Sequence, residues 1–179
     1  MARSQLSVEP LNDADRAKLE KTLTAAVNSL KKLGHEVSRD HAPPTIIALL
    51  QRITTDASTL PSKPGLRAMG FFFAEQVHRA HGADWGVRCV NDDRTLFLYT
   101  KDKAICLNPS RTVEQAASPD MGKYFSLEGI FSAFGKVVSH GEGFKELLSP
   151  DEARHLFEPS AYPGAWPVWG VHWKLPPWP

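Results

Sequence analysis

A chain of 179 residues, 42% hydrophobic and 23% charged, is long enough for one domain with its own core, short for two, and globular rather than disordered in composition. Its 21 Lys and Arg nearly balance its 20 Asp and Glu, so charge supplies neither the basic excess that draws a phosphate backbone nor an acidic excess that mimics one. Residues 1–10 hold one Arg and no apolar run, which argues against a secretory signal, and no window approaches the roughly 18 consecutive apolar residues of a membrane span. The expected setting is soluble and cytoplasmic, with neither nucleic acid nor membrane as partner.

In chain order, Asn12 or Asp13 opens a first helix with acids at the positive end of its dipole. Leu19, Leu23, Ala26, Val27, Leu30 and Leu33 recur at helical spacing, and Gly34 supplies the stop. Lys18, Lys21, Lys31 and Lys32 occupy other faces, which are expected to be solvated. A polar connector from 35 to 42 leads to Pro44, well placed at the start of a second helix built on Ile46, Ile47, Leu49, Leu50 and Ile53. Residues 60–65 form a turn-rich linker.

The third helix, residues 66–81, is expected to be central. Leu66, Met69, Gly70, Phe73, Val77 and Ala80 form one stripe, and Phe71 and Phe72 widen it, so the helix is apolar over much of its circumference and should pack on more than one side. Gly70 in its interior costs about 1 kcal/mol relative to Ala; close approach by another backbone explains its presence. Gly82 ends the helix. Three strands follow at 85–90, 95–100 and 104–107, joined by turns at Asn91-Asp92-Asp93 and Lys101-Asp102-Lys103, an antiparallel meander that Pro109 ends. Cys89 and Cys106 lie within these strands among Val, Ile and Leu and are read as free core thiols, without the CxxC spacing of a zinc site.

A short helix is expected over 111–117 and a long one within 120–140, with Leu127, Ile130, Phe131, Phe134, Val137 and Val138 on one face and Ser126 or Asp120 at its start. Ser149 and Pro150 open a last helix to Phe157. The tail, 159–179, concentrates four of the five Trp. Trp169, Val171, Trp173 and Leu175 alternate at strand period, which fits a late strand added to the meander or an aromatic arm buried by a partner. The fold class is therefore α+β, a small antiparallel meander packed against several helices in a single domain.

Candidate chemistry is sparse. Glu75 and His78 have the Glu-x-x-His spacing of helical di-metal sites, with His81 one turn on, but such sites need further carboxylates from other helices. The plainer reading pairs Glu75 with Arg79 at i+4 and leaves the histidines as polar surface. His140 and Glu142 share a glycine-flanked loop, and His155 and His172 stand alone; Ser126, Glu128 and His140 make a nominal triad of a kind almost any chain offers. No nucleophile elbow, zinc-protease helix, phosphate loop or dinucleotide fingerprint occurs. Trp85, Phe97 and Tyr99 near Arg88 and Arg94 could form a base-stacking platform, but Leu96 and Leu98 make both sheet faces apolar, which suits a sheet covered on both sides.

The succession Ala68-Met69-Gly70-Phe71-Phe72-Phe73-Ala74-Glu75, Gly82-Ala83-Asp84-Trp85, strands, then Asn108-Pro109 resembles a widespread class of small bacterial domains with an LGxxxGE-like helix and a GxxW turn, over about residues 66–135. Ala74 stands where that pattern often has a second glycine. The resemblance implies a domain of the type found among polymorphic-toxin immunity proteins: a non-enzymatic, cytoplasmic module that neutralises a cognate protein toxin by stoichiometric binding, without cofactor or metal. Candidate partner contacts are Asp92 and Asp93 in the acidic turn, Glu142, and the tail aromatics Trp166, Trp169 and Trp173. The rival readings are a metal-dependent or hydrolytic enzyme using Glu75, His78 and His81, and a structural subunit docked through its tail strand.

Overall fold

A computed structural model describes residues 6–58, 60–90, 93–99, 105–119, 126–140 and 171–173. These run β1 (Leu6–Pro10), α1 (Asp13–Lys32), α2 (Pro43–Thr55), α3 (Lys63–His81), β2 (Asp84–Val90), β3 (Asp93–Tyr99), β4 (Ile105–Leu107), α4 (Pro109–Ala116), α5 (Leu127–His140) and β5 (Val171–Trp173). The fold is α+β: an antiparallel sheet in the order β1-β2-β3-β4-β5, with α3 touching α1, α2, α4 and α5.

The centrality of α3 follows from its residues. Met69, Phe72, Phe73, Ala74 and Val77 are fully buried, and Gly65, Ala68, Gly70 and Gln76 are buried with them. Phe72 thus belongs to the core itself, whereas Ala80 at the end of the expected stripe is exposed. The helix also starts three residues before Leu66, because Pro64 in its first turn is preset for helix and lacks only an N–H that would have no partner there. At Gly70 the backbone of α3 meets that of α4. A Cβ at Gly70 would overlap the Pro109 carbonyl oxygen and lie 2.9 Å from its carbon, which is the close backbone approach its glycine implied.

Pro109 has two roles. It closes the meander after β4, and it opens α4 two residues earlier than expected, with the Thr112 hydroxyl donating to the Asn108 carbonyl 2.8 Å away. At the far end of α3, Gly82 adopts the left-handed conformation (φ +71°) and its N–H returns to the His78 carbonyl. That cap turns the chain directly into β2.

On the sheet, register sets which residues face the helices. Trp85 lies opposite Leu98, Val87 opposite Leu96, and Leu98 opposite Leu107. All five belong to or pack against the main core. Phe97 and Tyr99 alternate with these and form a separate buried cluster, 3% and 5% exposed. Both rings are buried rather than displayed to solvent. Cys106 lies opposite Tyr99 and Cys89 opposite Arg94. Five residues along β3 and two strand spacings separate their backbones by roughly 17 Å along the strand alone, far beyond the reach of a disulfide.

β1 was not legible in the sequence. Five residues with one alternation carry little signal, and the strand is specified by pairing with β2. Arg94 secures it from β3, donating to Glu9 at 2.6 Å and to Asp15 at 3.0 Å. Asp15 also completes a reciprocal capping box with Asn12 at the start of α1. β5 pairs with β4, Trp173 opposite Ile105, so this part of the tail is the late strand that its alternation indicated. The remaining tail, the Ser149–Phe157 helix and the 100–104 turn fall outside the described residues.

The N-terminus of α5 is capped twice. Ser126 Oγ accepts from the Gly129 N–H at 3.1 Å, and the Gln51 side-chain oxygen, projecting from α2, accepts from the Leu127 N–H at 2.6 Å. Of the two starts expected, Ser126 is the cap; Gln51 is a second one that only folding supplies. Ser126→Ala and Gln51→Ala should each lower stability by about 1 kcal/mol in urea unfolding, and less than additively together because they serve one helix end. Gly70→Ala should cost about 3 kcal/mol or more by the same measurement, since two backbones must separate. A change within the usual few tenths of a helix-surface substitution would refute the contact.

Candidate functional site

Three elements enclose an open cleft of about 630 Å³, within the range of ligand sites. α1 contributes Thr24, Val27, Asn28 and Lys31, spaced to share one helix face. Val37 to Asp40, in the connector after α1, form a second wall, and Glu75 and Arg79 of α3 form the third. Gly34 (φ +83°) lets the connector reverse, and buried Val37 anchors it.

Glu75 is held from both sides. The Trp85 indole donates to its Oε2 at 3.1 Å, and Arg39 Nη2 lies 3.9 Å from its Oε1. Trp85 in turn lies parallel to Phe71, ring centroids 6.1 Å apart. The Glu of the LGxxxGE-like helix and the Trp of the GxxW turn are therefore partners, brought together by the Gly82 cap. Their carboxylate–indole bond ties α3 to the sheet and fixes the carboxylate's direction.

Arg39 forks onto Glu20 with bonds of 2.5 and 3.2 Å. That hydrogen bond, helped by the charge, holds the Glu20 carboxyl below its ordinary range against the opposing effect of burial, and raises Arg39 in turn. Arg79 does not pair with Glu75 as the i+4 spacing suggested. Its Nη1 donates to the carbonyl oxygens of Arg39 and His41 and to Gln76 Oε1. The connector's unpaired carbonyls attract the guanidinium more effectively than a carboxylate already engaged by Trp85.

The Glu75, His78 and His81 constellation separates in space. Glu75 faces the cleft, while His78 Nδ1 lies 2.5 Å from the Ala83 carbonyl beyond the helix end. His81 sits against α5, its ring 4.6 Å from that of Phe131 and filling the place where Gly135 has no side chain. Among the described residues no three His, Cys, Asp or Glu side chains gather as metal ligands. The Glu-x-x-His spacing recurs at Glu152 and His155, which lie outside the described residues.

Of the expected contact residues, Asp93 opens β3 opposite Val90 and Trp173 closes β5. Asp92, Glu142, Trp166 and Trp169 lie outside the described residues. Sequence reasoning missed Glu20, Arg39 and Asn28, which carried no motif; only the helical spacing of Glu20, Thr24, Asn28 and Lys31 hinted at a shared polar face. No family model, curated protein or solved structure matches the chain. No helix among the described residues is long and apolar enough to cross a membrane.

Burial pushes the His81 imidazole below its ordinary value of 6.5, opposed by a hydrogen bond to the Phe131 backbone. The unfolded chain therefore binds this proton more readily, and stability is lost as pH falls from 6.5 through the lower folded value. Melting temperature should fall over that window before the carboxylates titrate, and His81→Asn should flatten the profile there. A wild-type profile level between pH 7 and 5 would refute it.

Proposed function

We propose that the protein is a non-enzymatic binding module of the immunity type, acting in the cytoplasm by occupying a cognate protein toxin one to one. The observation that supports this reading is the state of the cleft's charges. Glu75 and Arg79 are each engaged by internal partners, so one carboxylate and one guanidinium of the polar cleft are positioned before anything enters it. A fixed surface loses little side-chain freedom on binding, which favours tight stoichiometric recognition. A general acid–base centre needs a proton-transfer group left within reach of a substrate, and here the positioned carboxylate is committed to an indole and a guanidinium.

The sequence-derived contacts Asp92, Asp93, Glu142, Trp166, Trp169 and Trp173 belong to this proposal as further partner contacts. The test is capture of the tagged protein from its native lysate, identification of a co-eluting protein by intact mass, and recombination of the two after separate purification. The expected result is a 1:1 complex by light scattering and inhibition of the partner's activity that ends at one equivalent. Trp169→Ala should weaken that complex without moving the melting temperature. Stoichiometric zinc, iron or manganese in protein purified without added metal, lost in His78→Ala, would instead establish the metal-enzyme reading and overturn this one.

A further inference from the structure

The cleft's charged residues differ in how they are engaged. Its walls carry three cations, Lys31, Arg39 and Arg79, against two carboxylates, Glu75 and Asp40. Glu75 accepts from Trp85, and Asp40 accepts from the Ser38 hydroxyl at 3.4 Å. The carboxylate that best satisfies Arg39 is not among the residues that line the cleft. It is Glu20, one turn before Thr24 on the α1 face that lines the cleft, with its side chain 60% exposed.

We propose that the cleft receives an acidic peptide segment, one of whose carboxylates takes the place of Glu20 on the Arg39 fork while Lys31 engages a second. This rests on the binding-module reading and names the chemistry of its partner. Glu20 acts as an intramolecular stand-in. Its bidentate geometry marks the position and plane in which Arg39 accepts a carboxylate. Its exposure leaves it open to competition, since water and salt screen a surface ion pair.

Lys31 lies on the same helix face, about three turns along α1 from Glu20, roughly 16 Å at 1.5 Å per residue. That span suits an extended segment rather than a single small anion. Thr24, Asn28 and Ser38 lie between or opposite these charges and offer hydroxyl and amide groups to a peptide backbone. Arg79 holds the connector's carbonyls at residues 39 and 41, so the fork stays in place when Glu20 leaves.

The probe is fluorescein-labelled hexaglutamate, measured by anisotropy at low ionic strength against labelled hexalysine and an uncharged Gly-Ser peptide, with unlabelled inorganic phosphate as competitor. Hexaglutamate should bind and the other two peptides should not. Glu20→Gln should tighten binding a few-fold by removing the stand-in, whereas Lys31→Gln and Arg39→Lys should each weaken it at least about threefold. Melting temperatures are measured alongside, and Glu20→Gln and Lys31→Gln, both on the exposed face of α1, carry the test if Arg39→Lys fails to fold. Unchanged or weaker binding by Glu20→Gln, equal binding of hexalysine, or full competition by phosphate at equal charge overturns the proposal. A partner complex that forms one to one but ignores hexaglutamate and these substitutions sinks this inference alone. Hexaglutamate binding as described, with no partner recombining, sinks the immunity reading alone.

Discussion

The structure depends on the contact between Gly70 of α3 and the Pro109 carbonyl at the start of α4. Interiors are packed at crystal-like density, so the distance between two elements is set by the bulkiest atoms at their closest point. Here that point has no side chain on one partner and a backbone carbonyl on the other. α3 can therefore lie against α4 while its other faces meet α1, α2 and α5. Because Asn108-Pro109 directly follows β4, the same contact fixes where the meander ends relative to the central helix.

From that fixed position, the rest of α3 directs the molecule's polar chemistry. Phe71 supports Trp85, Trp85 holds Glu75, and Gly82 makes the reversal between helix and strand that allows the bond. The residues that carry the family-like pattern are thus explained by packing and orientation. One backbone crossing accounts for Gly70, and one helix-to-strand turn brings the Glu75 carboxylate and the Trp85 indole together. The carboxylate also reaches the cleft, so the helix-to-sheet tie and the cleft wall share one side chain.

The cleft owes its shape to the connector after α1. Arg39 and Arg79 cross within it, one guanidinium facing the carboxylates of α1 and α3 and the other sealing backbone carbonyls beneath. The histidines of α3 serve other purposes. His78 addresses the chain leaving the helix, and His81 fills the space left by Gly135 on α5. A helix of 3.6 residues per turn separates positions six apart, and the surrounding elements completed the separation that the spacing began.

What the sequence by itself determined is the set of elements whose signals are local. The apolar period, the helix starts offered near Asn12 and Ser126, the breaks at Gly34 and Gly82, and the strands within 85–90, 95–99 and 105–107 each rest on signals a few residues long, and each appears among the described residues. Gly70 belongs with them, since a helix-breaking residue inside an apolar helix implies a close neighbour even when that neighbour is unnamed. Tertiary structure alone decided that the neighbour is Pro109, that β1 joins the sheet, that Gln51 caps α5 from another helix, and that Arg79 leaves Glu75. It also decided the cleft, whose Glu20, Arg39 and Glu75 lie far apart along the chain. Charged side chains have no period and many available partners, so their pairings are set only once the packed apolar elements have placed their backbones.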